Sequence, residues 1–189
     1  MIEMVVILAM LVLIAGIILP NFPRLTDRIR LQRSTRELAL SLRRAQNMAL
    51  AVRGVSDPNT GQRVVPPAFG VYLSRDSNPT SYVIFADIFP PAVYPAPSNR
   101  RYDPGQDIAL ETLTLERSVA IADLLVDGLS CQPQQCELHI AFSVPEARLE
   151  IRTQGANPAG ESAEIVLQNA SGLMQRSVIV RTTGLIQVK

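Results

Sequence analysis

The sequence has no tryptophan, one histidine, one lysine and two cysteines in 189 residues, and aromatic side chains make up only 5% of it. Those shortages remove much chemistry. No Ser or Cys nucleophile motif, Gly-rich phosphate loop or HExxH is present. A metal site built on Cys131 and Cys136 needs two further ligands, and His139 alone is near. Excess charge of one sign is also missing. Eighteen basic and seventeen acidic residues leave a net charge of +1, which gives no overall case for a polyanion binder. Seventeen of the eighteen basic residues are Arg, a bias for which nothing physical accounts.

What is present is polarised along the chain. Residues 1–20 carry one charge, Glu3; residues 21–53 carry eight Arg against Asp27 and Glu37; residues 54–189 carry a net of −4. Met4 to Leu19 is an unbroken apolar run of sixteen residues. As a helix it covers roughly 24 Å, against a hydrocarbon core of about 30 Å. A retained membrane helix is expected here. A cleavable signal peptide fits poorly, because no basic residue precedes the run and no small-x-small site follows it. A core helix fits poorly because the run has no polar face. Glu3 is the odd residue: a carboxylate at mid-depth in a bilayer costs about 2.5–3.5 kcal/mol, so it needs a partner or a shallow position.

Glu3, the apolar run with Ala9, Ala15 and Gly16, and Leu19-Pro20 placed seventeen residues after Glu3 resemble the N-terminus of type IV pilins and type II secretion pseudopilins. The likeness covers about the first 22 residues. The family's basic leader, processing-site Gly and Phe-Thr pair are not in this sequence, and Met1 stands where the family has Leu. The short apolar run accordingly points to residues upstream of Met1. The resemblance implies a subunit whose helix packs among its copies, with Glu3 pairing with the terminal amine of a neighbour and Pro20 kinking the helix. It implies as partners other pilin or pseudopilin subunits, an inner-membrane assembly platform, and a prepilin peptidase acting on the precursor. It also implies a single-pass inner-membrane position with the head on the periplasmic side.

Beyond Pro20 the pattern is helical and one-sided. Leu31, Leu38, Leu42, Ala45, Ala49 and Val52 share one face, with Arg28, Arg36, Arg43 and Arg44 largely off it. Gly54 and Asp57-Pro58-Asn59 are expected to end the helix. The Arg-rich face has three open readings: solvated, paired with lipid headgroups or acidic neighbours, or bound to nucleic acid. The positive-inside rule would put it in the cytoplasm, against the orientation that the resemblance implies.

From Phe69 onward Val- and Ile-rich segments alternate with Gly, Pro and Asn, as antiparallel strands do. Residues 69–74 and 81–86 read as a hairpin. Further strands are expected at 111–116, 119–125, 137–142, 148–153, 163–167, 177–181 and 185–188, with a Pro-rich surface loop over 89–104. The organisation expected is 1–22 as an assembly half-helix, 23–54 as its amphipathic half and 55–189 as a β-rich head. The fold class expected is α+β: a type IV pilin-like fold with one long helix on an antiparallel head. The helix Leu38 to Ala45, the strands around Phe69 and Val83, and the closing Thr183 to Val188 resemble the GspH/FimT-like minor pseudopilins.

Cys131 and Cys136, five apart with Pro133 between them, can close a tight loop; disulfide, free thiols and metal all stay open. Alternation turns Leu138, Ile140 and Phe142 inward and leaves His139 on the wet face. Asp87, Asp103 and Asp107 flank the Pro-rich loop and are read as ordinary carboxylates, with calcium as a secondary reading. No other cofactor is expected. The expected function is a non-enzymatic filament subunit of a type II secretion pseudopilus or type IV pilus. Two alternatives remain: a non-polymeric anchored binding module, and a DNA-binding minor pilin. Against the latter, the C-terminus from Thr183 carries one basic residue, Lys189.

Overall fold

The computed structural model describes residues 2–18, 22–57, 61–88, 98–131, 136–153 and 160–189. Pro20, the expected kink, lies outside them. Helix α1 spans Ile2–Ile18 and α2 spans Phe22–Leu50. Twelve strands follow: β1 (Val55–Ser56), β2 (Arg63–Val64), β3 (Ala68–Ser74), β4 (Ser81–Asp87), β5 (Ile108–Thr114), β6 (Val119–Val126), β7 (Leu129–Ser130), β8 (Glu137–Ser143), β9 (Arg148–Thr153), β10 (Ser162–Asn169), β11 (Gln175–Arg181) and β12 (Ile186–Val188).

The strands form two five-stranded antiparallel sheets, ordered β5-β4-β3-β8-β9 and β12-β11-β10-β6-β7, and the small hairpin β1-β2. This corrects the expected fold class. The described residues are predominantly β, and they do not show one long helix on a single head: they show α1 and α2, of which α2 is the one packed on the sheets. The physical reason lies in α1. Every described side chain from Ile2 to Gly16 is exposed, so the apolar helix makes no core with the strands.

The expected single-pass membrane position is corrected as well. No helix among the described residues is long and apolar enough to cross a membrane. The seventeen residues of α1 span about 26 Å at a rise of about 1.5 Å each, short of the roughly 30 Å of hydrocarbon. The helix that follows, α2, is rich in Arg.

Helix α2 touches β3 and β8 of one sheet and β6, β10, β11 and β12 of the other. Leu31, Leu38, Leu42, Ala45 and Ala49 are all buried in the one core that both sheets share. Polar ties fix its position. Ser41 bonds the Tyr82 hydroxyl at 3.0 Å, the Ser34 hydroxyl accepts from the Glu116 N–H at 3.0 Å, and Ser118 donates to Asp27 at 3.3 Å.

The sixth residue of the apolar stripe departs from expectation. Val52 lies beyond the helix end at φ 49° and is 44% exposed. Its N–H reaches the Ala49 carbonyl at 3.1 Å, and the Arg53 N–H reaches Met48 at 3.2 Å. That is a Schellman end, with a β-branched residue where glycine is usual. Gly54, the expected stop, follows two positions later.

Candidate functional site

Three groups of residues carry chemistry that the fold alone does not use. The first is the surface of α1. Ile2 is 81% exposed, and Met4 to Ile14 presents a belt of large apolar side chains around the whole helix. Leu, Ile, Val, Met and Ala propagate a helix well enough here, while nothing polar breaks the surface beyond the first turn. The exposed apolar area is on the order of 1,000 Å² or more, well above the roughly 300–600 Å² of the largest patch on an ordinary monomer. Glu3 sits in the first turn and is exposed; its negative charge suits the amide end of the helix.

The second group is a buried cluster on the outer face of the first sheet. Tyr72, Phe85 and His139 point away from the main core, and the segment from Ser98 to Asp107 closes over them. Tyr102 caps the group, with ring centroids 5.3 Å from Tyr72 and 5.5 Å from Phe85. His139 is therefore only 2% exposed, which corrects its expected place on a wet face. The alternation is in the expected phase, with His139 on the face opposite Leu138, Ile140 and Phe142; a segment distant in sequence covers that face. The His139 Nδ1 accepts from the Tyr102 N–H at 2.9 Å, so any ring proton is on Nε2, which has no hydrogen-bond partner. Burial first, then the charge of Arg101, pulls its pKa down to about 4.

Two of the three expected loop carboxylates fasten the same segment. Asp87 accepts from the Ser98 hydroxyl and from the Arg100 N–H at 3.0 Å. Asp107 accepts from the Ile88 N–H at 3.1 Å and the Asp103 N–H at 2.7 Å. Burial is the main cause that raises both, Asp107 to about 7. The third, Asp103, accepts from the Asn99 side chain. These carboxyl groups act as acceptors for local donors. Asp87, Asp103 and Asp107 do not form a set of ligand atoms within 4.8 Å of one another.

The third group does converge that closely: Asp123, Cys131 and Cys136. Its sulfurs form a disulfide, with Cα atoms 5.1 Å apart, and so offer no thiolate to a metal. The Asp123 carboxylate meets Arg75 at 3.2 Å and the Ser130 hydroxyl at 2.8 Å.

Compared with protein-family models, with curated proteins and with solved structures, the chain matches none.

Glu3 stands apart from the loop carboxylates and from the cysteines, each on a different part of the molecule. Among the described residues, neither cluster pairs an activated nucleophile with a base in reach of an open cavity. The covering role of Tyr102 and the anchoring role of His139 had no local signal in the sequence, because the two are joined only through sheet and loop. The Arg-rich face of α2 is partly paired within the chain: Arg33 with Glu116 at 3.2 Å, Arg44 with Glu111, and Arg30 with Asp27 at 3.9 Å.

Proposed function

We propose that this chain is a non-enzymatic structural subunit that assembles with like subunits through α1, as the type IV pilins and type II secretion pseudopilins resembled by its first residues do. The observation that supports the reading is the apolar belt of α1, exposed on every side. Water around such a surface is unfavourable by about 25 cal/mol per Å², so burial against copies of the same helix is the natural release. Glu3 supplies polarity at one end of the belt and would find its partner on a neighbouring subunit. The partners that follow from this reading are other pilin or pseudopilin subunits, an assembly platform, and a prepilin peptidase acting on the precursor.

The test is association of the full chain. Wild type is expected to sediment as large assemblies at micromolar concentration, and crosslinks should run through α1. Leu8→Asp with Leu11→Asp should yield monomers whose thermal unfolding midpoint matches wild type, since neither side chain touches the core. Glu3→Ala should weaken assembly alongside wild-type partners without unfolding the β sheets. A non-polymeric binding module would instead give monomers from the wild type, and unchanged assembly of the aspartate variant would remove α1 from the mechanism.

A further inference from the structure

Arginine crowds one concavity of this molecule far from α1. The last three turns of α2 and the β1-β2 hairpin border an open groove of about 600 Å³, lined by Arg43, Arg44, Arg53 and Arg63 together with Leu40 and Asn47. That volume falls in the range of small-molecule sites, roughly 300–1,000 Å³. Among the described residues, no acidic one lines the groove. Of the four guanidinium groups, only Arg44 has a carboxylate partner among the described residues, Glu111 on β5. Arg53 leans on the Met48 sulfur at 3.5 Å. Like charges held around one concavity repel each other and raise its potential, so the surface gains by admitting an anion.

Gly54 gives a second observation. Its φ lies outside the left-handed region, so the backbone does not require glycine there. Space does: a Cβ at this position would stand 2.6 Å from Arg63 Nε and 3.0 Å from its Cγ. The missing side chain lets Arg63, on β2, lie across the chain at the rim of the groove. The carbonyl end of α2 would work against an anion, but the N–H groups of Ala51, Val52 and Arg53 already occupy carbonyls there.

We infer that this groove is a binding site for a phosphate-bearing ligand, held by Arg43, Arg53 and Arg63. Planar guanidinium groups bind carboxylate and phosphate alike in a two-pronged fashion, but a phosphate carries more charge and more acceptor oxygens and so can engage several of them at once, which favours it over a single carboxylate. Leu40, 60% exposed at the edge, provides apolar contact for whatever carries the phosphate. The site is independent of assembly through α1, and either can fail without the other.

Calorimetric titration of the full chain in neutral detergent micelles, with pyrophosphate as the probe, tests it. Saturable binding is expected. Affinity should fall about tenfold, the loss for one or two charge-assisted hydrogen bonds, in Arg43→Gln/Arg63→Gln, and it should also fall in Gly54→Ala, where Arg63 is displaced. Arg148→Gln, an exposed arginine on β9, should bind as wild type does. Adding phosphatidylglycerol to the micelles distinguishes the sources of the phosphate: competition with pyrophosphate assigns a lipid headgroup, and its absence assigns a soluble phosphate ester. Unchanged unfolding midpoints show that the variants are folded. No heat with millimolar pyrophosphate, equal affinity in the double variant, or an equal loss in Arg148→Gln would overturn the site.

Discussion

His139 shows how far one residue can be governed by groups remote in sequence. Its neutral form is favoured in the fold, with a pKa near 4 against the ordinary 6.5. The unfolded chain therefore binds more protons between those values, and this residue's contribution is lost as pH falls from 6.5 toward 4. Asp107 works the other way. Its pKa is raised to about 7, so the folded chain holds the extra proton, and its contribution is lost as pH rises from about 4 to 7. The two slopes oppose each other over most of the same window, so the contributions of these two residues largely offset one another there. Individual titrations resolve them. As the only histidine, His139 gives one set of imidazole NMR signals. The midpoint should lie near 4; a midpoint near 6.5 would mean that the ring is not buried under Tyr102. The Asp107 carboxyl carbon should titrate near neutrality.

Among the described elements, β3 is enclosed on both faces, with six of its seven residues buried. It lies between β4 and β8, with core on one face and the Tyr102 segment on the other. Gly70 at its centre has no room for a side chain: a Cβ would lie 2.6 Å from the Ile140 carbonyl oxygen and 2.6 Å from the Phe85 ring. Gly70→Ala should destabilise the protein by about 1–3 kcal/mol, the usual cost of overpacking, read as a lower urea midpoint at unchanged slope. An unaltered midpoint would show that the strands can separate at little cost. Most elements could be read from the sequence because their signals are local. The β3-β4 hairpin, β6, β8, β9, β10 and β11 each carry Val, Ile and turn residues within one short window, and five positions of the α2 stripe are buried as their spacing requires. What escaped were features decided at a distance. The two-residue strands β1, β2 and β7 exist only through their partners. The division into two sheets depends on strand order, which periodicity does not encode. The Arg groove joins α2 to a hairpin that no motif announced.

The whole molecule depends on how its two sheets are joined, and the cysteines sit at that join. Cys131 follows β7 in one sheet and Cys136 precedes β8 in the other, so their bond ties the chain at one of the three places where it crosses between sheets. Hydrogen bonds hold both ends: the Cys131 N–H to the Leu124 carbonyl at 3.0 Å, and the Cys136 N–H to Asp76 at 3.1 Å. A second tie lies alongside, in the ion pair of Arg75 after β3 with Asp123 on β6. The covalent loop is short, only five residues in separation, so chain entropy limits the stabilisation to about 2 kcal/mol. Reduction should cut the unfolding free energy by that amount, read as a lower urea midpoint at unchanged slope, because Arg75-Asp123 and the α2 core still hold the sheets together. Cys131→Ser/Cys136→Ser should behave like the reduced wild type. A much larger loss, or a shallower and biphasic transition, would mean that the sheets unfold separately once untied and that α2 alone cannot hold them as one cooperative core.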